Sequence, residues 1–317
     1  MATGAIAATS GTAGRNLATK AGRALARAHA LPTSRSECYG CRSWRDDPSL
    51  RGGTVSEHDE STTTLPAPPE ESEAFPRENF AGKALPGESF AKLELRGADF
   101  RGSDLSMADF RGARLEGANF EGADLSGAQF QEADVRSALF TDARLLYAGF
   151  SGARLDEASF TRAFMHHADL RRASARSTRF TWARLMHATL HSAQCAGADF
   201  TGASLRFADC RQADLSFATF EFADAPSVKL SSASLRGALL LSANLDGAFF
   251  SGAVLTGASL GRTVISNCHE LERAIGLATI SHVAPSALDV VSYRRLRGVL
   301  PASFIAGLGI DVAETAE

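Results

Sequence analysis

Apolar side chains recur at every fifth residue from Phe80 to Ile265 without an insertion or deletion. The series opens Phe80, Leu85, Phe90, Leu95, Phe100 and runs through 38 positions, all apolar when Ala175, Cys195, Cys210 and Ala225 are counted. Two places before each of the 33 centres from Phe100 to Leu260 stands Ala in 30 cases, the exceptions being Ser103, Thr178 and Val228. A period of five fits neither the helical nor the strand repeat, so neither element can hold these side chains on one face. A chain that turns a corner every five residues can: the centre and the small residue before it point into a shaft, and the other three positions face water. A second period of twenty sets the number of sides. Phe80, Phe100, Phe120, Phe140, Phe160, Phe180, Phe200 and Phe220 form one column, whereas Leu85, Leu105, Leu125, Leu145, Met165, Leu185 and Leu205 form another without a single Phe. Like stacks on like if four sides complete a coil. At the β-ladder spacing this predicts a rod of roughly 45 Å.

The unit reads Ala, then Asp or Asn, then Leu or Phe, then two freer positions, as in Ala98-Asp99-Phe100, Ala118-Asn119-Phe120, Ala123-Asp124-Leu125 and Ala198-Asp199-Phe200. It resembles the pentapeptide-repeat family over roughly 60% of the chain, and a register held this long has few accidental matches. The resemblance implies an all-β fold: a right-handed, four-sided parallel β-helix of about nine to ten coils, each pentapeptide making one side.

Three segments follow: 1–76 without the register, the repeat at 77–265, and a tail at 266–317. The first is rich in Ala, Gly, Ser, Thr and Arg, then in Pro and Glu as in Leu65-Pro66-Ala67-Pro68-Pro69-Glu70-Glu71, a composition that predicts disorder. Its first acid is Glu37, after Arg15, Lys20, Arg23 and Arg27, and such acid-poor starts are similar to organellar transit peptides. A cytoplasmic setting is the first reading and an organelle the alternative. Cys38 and Cys41 form a lone CxxC, half of a zinc set. In the tail, Leu271, Ile275, Leu288, Val291, Tyr293, Leu296, Phe304, Ile305 and Leu308 follow helical spacing and predict a cap over the solenoid end. Pro285-Ser286-Ala287-Leu288-Asp289 and the stretch from Leu300 to Gly309 resemble a tail of bacterial pentapeptide-repeat proteins, some of which continue into a TIR-like signalling domain. Only eight residues follow Gly309, so that activity is not carried over. C-terminal dimerisation is common in the resembled family, which makes Leu296, Phe304, Ile305 and Leu308 a candidate homodimer surface.

Charge and composition narrow the chemistry. With 33 Lys plus Arg against 36 Asp plus Glu the net charge is -3, unlike a direct nucleic-acid binder, and no apolar run is long enough to cross a membrane as a helix. Five Cys, two of them isolated inside the repeat, suit a reducing compartment better than a disulfide framework. No phosphate loop, HExxH motif, nucleophile elbow or carboxylate pair stands out, and a filled rod offers no concave pocket, so the expectation is a non-enzyme without cofactor or metal.

Residues twenty apart should lie one above another, so the faces read as columns. Arg96, Glu116, Arg136, Asp156 and Arg176 alternate in sign, and Glu94, Arg114, Asp134 and Arg154 alternate in antiphase, a checkerboard of pairs each worth about 0–1 kcal/mol. Some members of the resembled family imitate the shape and negative charge of duplex DNA and bind gyrase, a type II topoisomerase. Here 21 acids meet 19 bases between Glu78 and Leu260, too even a balance for a single-sign field. Thr141, Thr161, Thr181 and Thr201 form a ladder suited to any exposed strand surface. One column breaks the polar background: Met107, Gly127, Tyr147, His167, His187 and Phe207, with Leu146, His166, Met186 and Arg206 beside it and Phe164 close by. Exposed aromatic, Met and Arg side chains mark partner surfaces. Tyr147, Phe164, His166, His167, Met186, His187, Arg206 and Phe207 are therefore the candidate binding patch, and His167 above His187 lacks the third ligand a metal needs. The reading is a protein–protein interaction scaffold with an unidentified protein partner. A gyrase-binding DNA mimic giving quinolone or toxin resistance is one alternative; the binding part of a bacterial signalling or defence system without its effector domain is another.

Overall fold

The computed structural model describes residues 78–310; the expectations for the N-terminal segment, including Cys38 and Cys41, lie outside the described residues. Every pentapeptide is a β-turn. The N–H three residues after a centre donates to that centre's carbonyl, as from Ala98 to Leu95 at 3.1 Å, and the second turn residue is left-handed at each corner from 82 to 267, with φ between 52° and 71°. Three more N–H groups per unit cross to a neighbouring coil: Phe100 to the Asn119 carbonyl at 2.7 Å, Gly102 to Glu121 at 2.9 Å, Asn119 to Ala98 at 2.9 Å. The fifth, one place after the centre, donates to a side-chain oxygen one place before it, as Arg101 does to Asp99 Oδ1 at 3.1 Å and Ala81 to Asn79 Oδ1 at 3.0 Å. That bond is the physical reason the unit favours Asp or Asn there: it satisfies the one backbone donor the coil cannot.

Four such units close a coil. Parallel bridges join residues twenty apart from Asn79 and Asp99 through to Phe249 and His269. All 38 centres are buried. The Phe80-to-Phe220 column is a stack with ring centroids 4.7–5.3 Å apart. A second stack, Phe90, Phe110, Phe130 and Phe150, meets it edge-on at 5.5–6.0 Å. Burying each ring contributes about 2–3 kcal/mol, and each edge contact about 0.5–1.5 more. Beyond Phe150 the second stack gives way to Leu170, Leu190 and Cys210, all buried.

Where the shaft narrows, volume is exchanged across the turn. Two of the three departures from Ala, Thr178 and Val228, stand three places after the two Ala centres, Ala175 and Ala225, and all four are buried. The turn bond brings each pair together: Thr178 N–H reaches the Ala175 carbonyl at 3.4 Å and Val228 N–H reaches Ala225 at 3.3 Å. The buried Thr178 hydroxyl donates to the Leu155 carbonyl at 2.8 Å, so the swap leaves no orphan polar group.

The ladder outlasts the five-residue register. Val254 bridges Ile275, β1 (Ser259–Leu260) pairs in parallel with β2 (Ser281–His282), and Val264 bridges Ala287, with partners now 21, 22 and 23 apart. Three one-residue insertions thus add a further coil, with 3-10 turns at Leu271–Arg273 and Leu277–Thr279. The helical tail expected from 266 begins only with α1 (Val290–Leu296), followed by α2 (Ala302–Gly307). Leu296, Phe304, Ile305 and Leu308 are buried in the same core as the last coils, and the Phe304 ring meets His282 edge-on at 5.5 Å. The four side chains named for a homodimer surface thus pack against the end of their own rod and seal the shaft. Asp289 fastens the seal, accepting from Ser292 N–H at 2.8 Å and from Asn267 N–H at 2.9 Å. Burial alone would raise its pKa, but the hydrogen bonds from Ser292, Asn267 and Val291 outweigh that and hold it at about 2.

Two outcomes follow. Ala175→Leu should overpack the shaft by about 1–3 kcal/mol, and adding Thr178→Ala should recover much of the loss; strictly additive urea-melt values would refute the exchange. Because the folded pKa of Asp289 lies below the unfolded value, its contribution is complete above about pH 4 and is lost as pH falls towards about 2. Amide exchange at Ser292 and Asn267 should accelerate over that window, and Asp289→Ala should remove the pH dependence at a cost of about 1 kcal/mol.

Candidate functional site

A left-handed corner residue points away from the shaft and leans over the corner of the following coil. Trp182 shows the geometry: a Cβ added to Gly202 would collide with the indole, so the ring occupies the space a larger residue would need. Met107 lies over Gly127 in the same way. The alternative to a glycine below is another flat ring. In the column Tyr147, His167, His187 and Phe207, successive centroids lie 4.9, 5.0 and 5.1 Å apart, with planes within 14° of parallel. This ladder stands in water, with Tyr147 65% and Phe207 45% exposed.

The other predicted patch residues lie beside it. His166, Met186 and Arg206 occupy the next column; His166 Nδ1 is buried without a partner, and burial, with lesser contributions from Arg184, His167 and His187, lowers the pKa of this imidazole. Phe164 sits across the flat of the same side, and the Arg184 guanidinium lies over its ring at 4.6 Å from the centroid, a cation–π contact. Arg184 makes no ion pair among the described residues. Phe164, Arg184 and Trp182 line one shallow depression together with Asp142, Arg162 and Ser204. The sequence reading missed Trp182 and Phe222, which are 58% and 57% exposed on the opposite edge of this side, and Phe217 on another corner. The signal was present: all three stand two places after a centre, the offset that located Tyr147, applied to the remaining columns.

This side also forgoes a stabilising feature. In the column from Asp104 and Asp124 to Asp224 and Asn244, the intervening residues are Arg144, Phe164, Arg184 and Ser204. The Ser106 and Ser126 N–H groups donate to Asp104 Oδ1 and Asp124 Oδ1 at 3.1 and 3.0 Å. The N–H groups of Leu146, His166, Met186 and Arg206 have no such acceptor before them.

Elsewhere the surface is self-neutralised. The Arg101, Arg111 and Arg211 side chains hydrogen-bond Asp99, Asp109 and Asp209 and hold those carboxyls below their usual range. The checkerboard is present, with Arg96 on Glu116 at 2.9 Å, Arg114 on Glu94 at 3.2 Å, Arg154 on Asp134 at 3.0 Å, and Arg136 against both Glu116 and Asp134. In the threonine ladder, Thr161 is engaged by Ser159 and Thr181 by Asp199. Among the described residues no group of three His, Cys, Asp or Glu is placed to hold a metal. Burial raises the Cys195 thiol to about 12 and Cys210 further still, so neither is a nucleophile.

A family model described as pentapeptide repeats matches the chain in eight copies, over residues 94–130, 104–145, 123–162, 153–191, 193–231 and 233–269. Among solved structures, HetL from the cyanobacterium Nostoc sp. strain PCC 7120, a pentapeptide repeat protein involved in heterocyst differentiation regulation, is 30% identical; the match covers 63% of this chain and 90% of HetL, with a TM-score of 0.40. AT2G44920, a pentapeptide repeat protein of the Arabidopsis thaliana thylakoid lumen, is 32% identical over 35% of this chain and 71% of its own, with a TM-score of 0.25. QnrB1, a plasmid-mediated fluoroquinolone resistance protein, is 24% identical over 73% and 97%, with a TM-score of 0.28. No curated protein matches the chain.

Of the two Trp in the chain, a Trp44→Phe variant leaves Trp182 as the sole indole reporter. Adding Gly202→Val should lift the ring from the coil below and increase its quenching by acrylamide. Unchanged quenching would mean that the indole does not rest on Gly202.

Proposed function

The chain belongs to the pentapeptide-repeat family, and on that premise we propose that it is a non-enzymatic, rod-like scaffold that binds a protein partner through the side carrying Tyr147, Phe164, Trp182, His187 and Phe207. The exposed ring ladder carries this reading. Stacking has already restricted these side chains, so a partner gains aromatic contact area without the full cost of immobilising it. Apart from the N–H groups of Leu146, His166, Met186 and Arg206, the backbone donors of this side are committed to neighbouring coils and turns, so side chains carry most of the recognition. The filled shaft and the inert buried thiols support a role without chemistry, and those free thiols favour a reducing compartment.

The DNA-mimic alternative asks for an uncompensated acidic surface. The bidentate Arg partners of Asp99, Asp109 and Asp209 weigh against it. Adding the protein to a gyrase supercoiling reaction, with and without a quinolone, should change neither activity nor drug response. A photo-cross-linking residue in place of His187 should capture a partner that the same residue at Ser177, on the diagonal corner, does not. Equal capture at both positions would remove the assignment to this side.

A further inference from the structure

The patch is a local reversal of charge. Its two corners and the side between them, from Asp142 to Phe207, carry Arg144, Arg162, Arg184 and Arg206 against the single acid Asp142, on a rod whose acids outnumber its bases overall. Asp142 is committed to Arg162 at 2.5 Å. The other three guanidiniums are loosely held: Arg144 reaches Asp124 only at 3.6 Å, Arg206 reaches Asp224 at 3.5 Å, and Arg184 rests on Phe164. The surface therefore suits an acidic ligand able to lie along stacked rings and guanidiniums.

The chain itself contains one. Between Arg51 and Arg77 lie 25 residues with six acids, Glu57, Asp59, Glu60, Glu70, Glu71 and Glu73, and no Lys or Arg. The same stretch holds Pro66, Pro68, Pro69 and Pro76. Proline-rich chain brings few backbone donors and a stiff extended form, and such segments dock on aromatic grooves through side-chain contacts. It also ends where the rod begins. From the first coil to Arg144 is about three coil spacings, near 15 Å, and to Arg206 about six, near 30 Å. An extended chain of about 3.3 Å per residue covers the shorter distance in roughly five residues and the longer in roughly nine, so a 25-residue stretch is long enough for either.

We infer that residues 52–76 of this chain occupy the Tyr147–Phe207 side of its own rod, as an acidic, proline-rich internal ligand that an external partner must displace. The inference rests on the proposal that this side is the binding surface, and supplies its ligand chemistry and its regulation.

The test uses the full chain with a photo-cross-linking residue at position 187, mixing isotopically light and heavy protein and mapping the products by mass spectrometry. Expected are cross-links from 187 to peptides within 52–76, light to light and heavy to heavy, lost when Glu57, Asp59, Glu60, Glu70, Glu71 and Glu73 are all replaced by Gln. Arg184→Glu with Arg206→Glu should lose them too, while circular dichroism stays that of the parent. A synthetic peptide of residues 52–76 should quench or protect Trp182 saturably in the neutralised variant, and 0.5 M NaCl should weaken that binding at least about tenfold. Cross-links joining light to heavy chains, or links to 52–76 that survive neutralisation, would overturn the inference, as would a peptide without saturable effect. Partner capture at 187 separates the two proposals. Capture that is equal in parent and neutralised chains sinks the internal ligand and keeps the partner surface; internal links with no partner captured even after neutralisation do the reverse.

Discussion

Everything in this rod answers to one constraint: a side chain must pack against whatever stands twenty residues further on. Bridges between residues twenty apart set that neighbour, and the rise of about one β-ladder spacing leaves room for a flat ring on a flat ring or for a large group on a small one. Inside, the rule produces the phenylalanine stacks. Outside, it produces the Tyr147, His167, His187 and Phe207 ladder, with the same spacing and near-parallel planes. Trp182 over Gly202 is the large-on-small solution of the same problem. Core and exposed ladder are therefore consequences of one geometry, differing only in whether the side chain points into the shaft or out of a corner.

That geometry explains what was legible in the sequence. A five-residue register with a twenty-residue overtone specifies which residues are buried and which share a column, so the centres, the four sides and the exposed ladder could be read before any coordinates. The final coil could not, because bridges 21, 22 and 23 apart destroy the period while preserving the ladder. The tail is less legible for a related reason. Apolar residues at helical spacing show that a helix has a buried face, but not whether its own rod or a second copy covers it; Leu296 and Phe304 turn out to face the rod. Trp182 and Phe222 were overlooked through incomplete use of the corner offset, since nothing about their spacing is ambiguous.

Acidic residues in this fold have a structural duty that a count of charges conceals. The Asp before a centre accepts the N–H after it, and where that later residue is Arg, as at Asp99 and Asp109, it also pairs with the guanidinium. Many Asp residues are thus part of the coil's own hydrogen bonding, and their field is cancelled within a few ångströms. Losing the Asp is not by itself a mark of function, for Leu139 and Arg179 also stand in that position on another side. What distinguishes the Arg144-to-Ser204 column is coincidence: four successive coils lack the bond where the neighbouring corners carry exposed rings.

A filled shaft then restricts what such a surface can do. Among the described residues the shaft is filled by side chains, and within the rod each coil's strand edges are paired with the neighbouring coils. On the proposed function, recognition falls to side chains held in a fixed array, which favours ligands that are themselves extended and poor in backbone donors. An array one side wide and four coils long matches a stretch of polypeptide better than a compact small molecule. Arg162 is paired with Asp142, but Arg144, Arg184 and Arg206, whose carboxylates are distant or absent, leave the array positive. The shape of this array and its charge both follow from columns of single residues placed twenty apart.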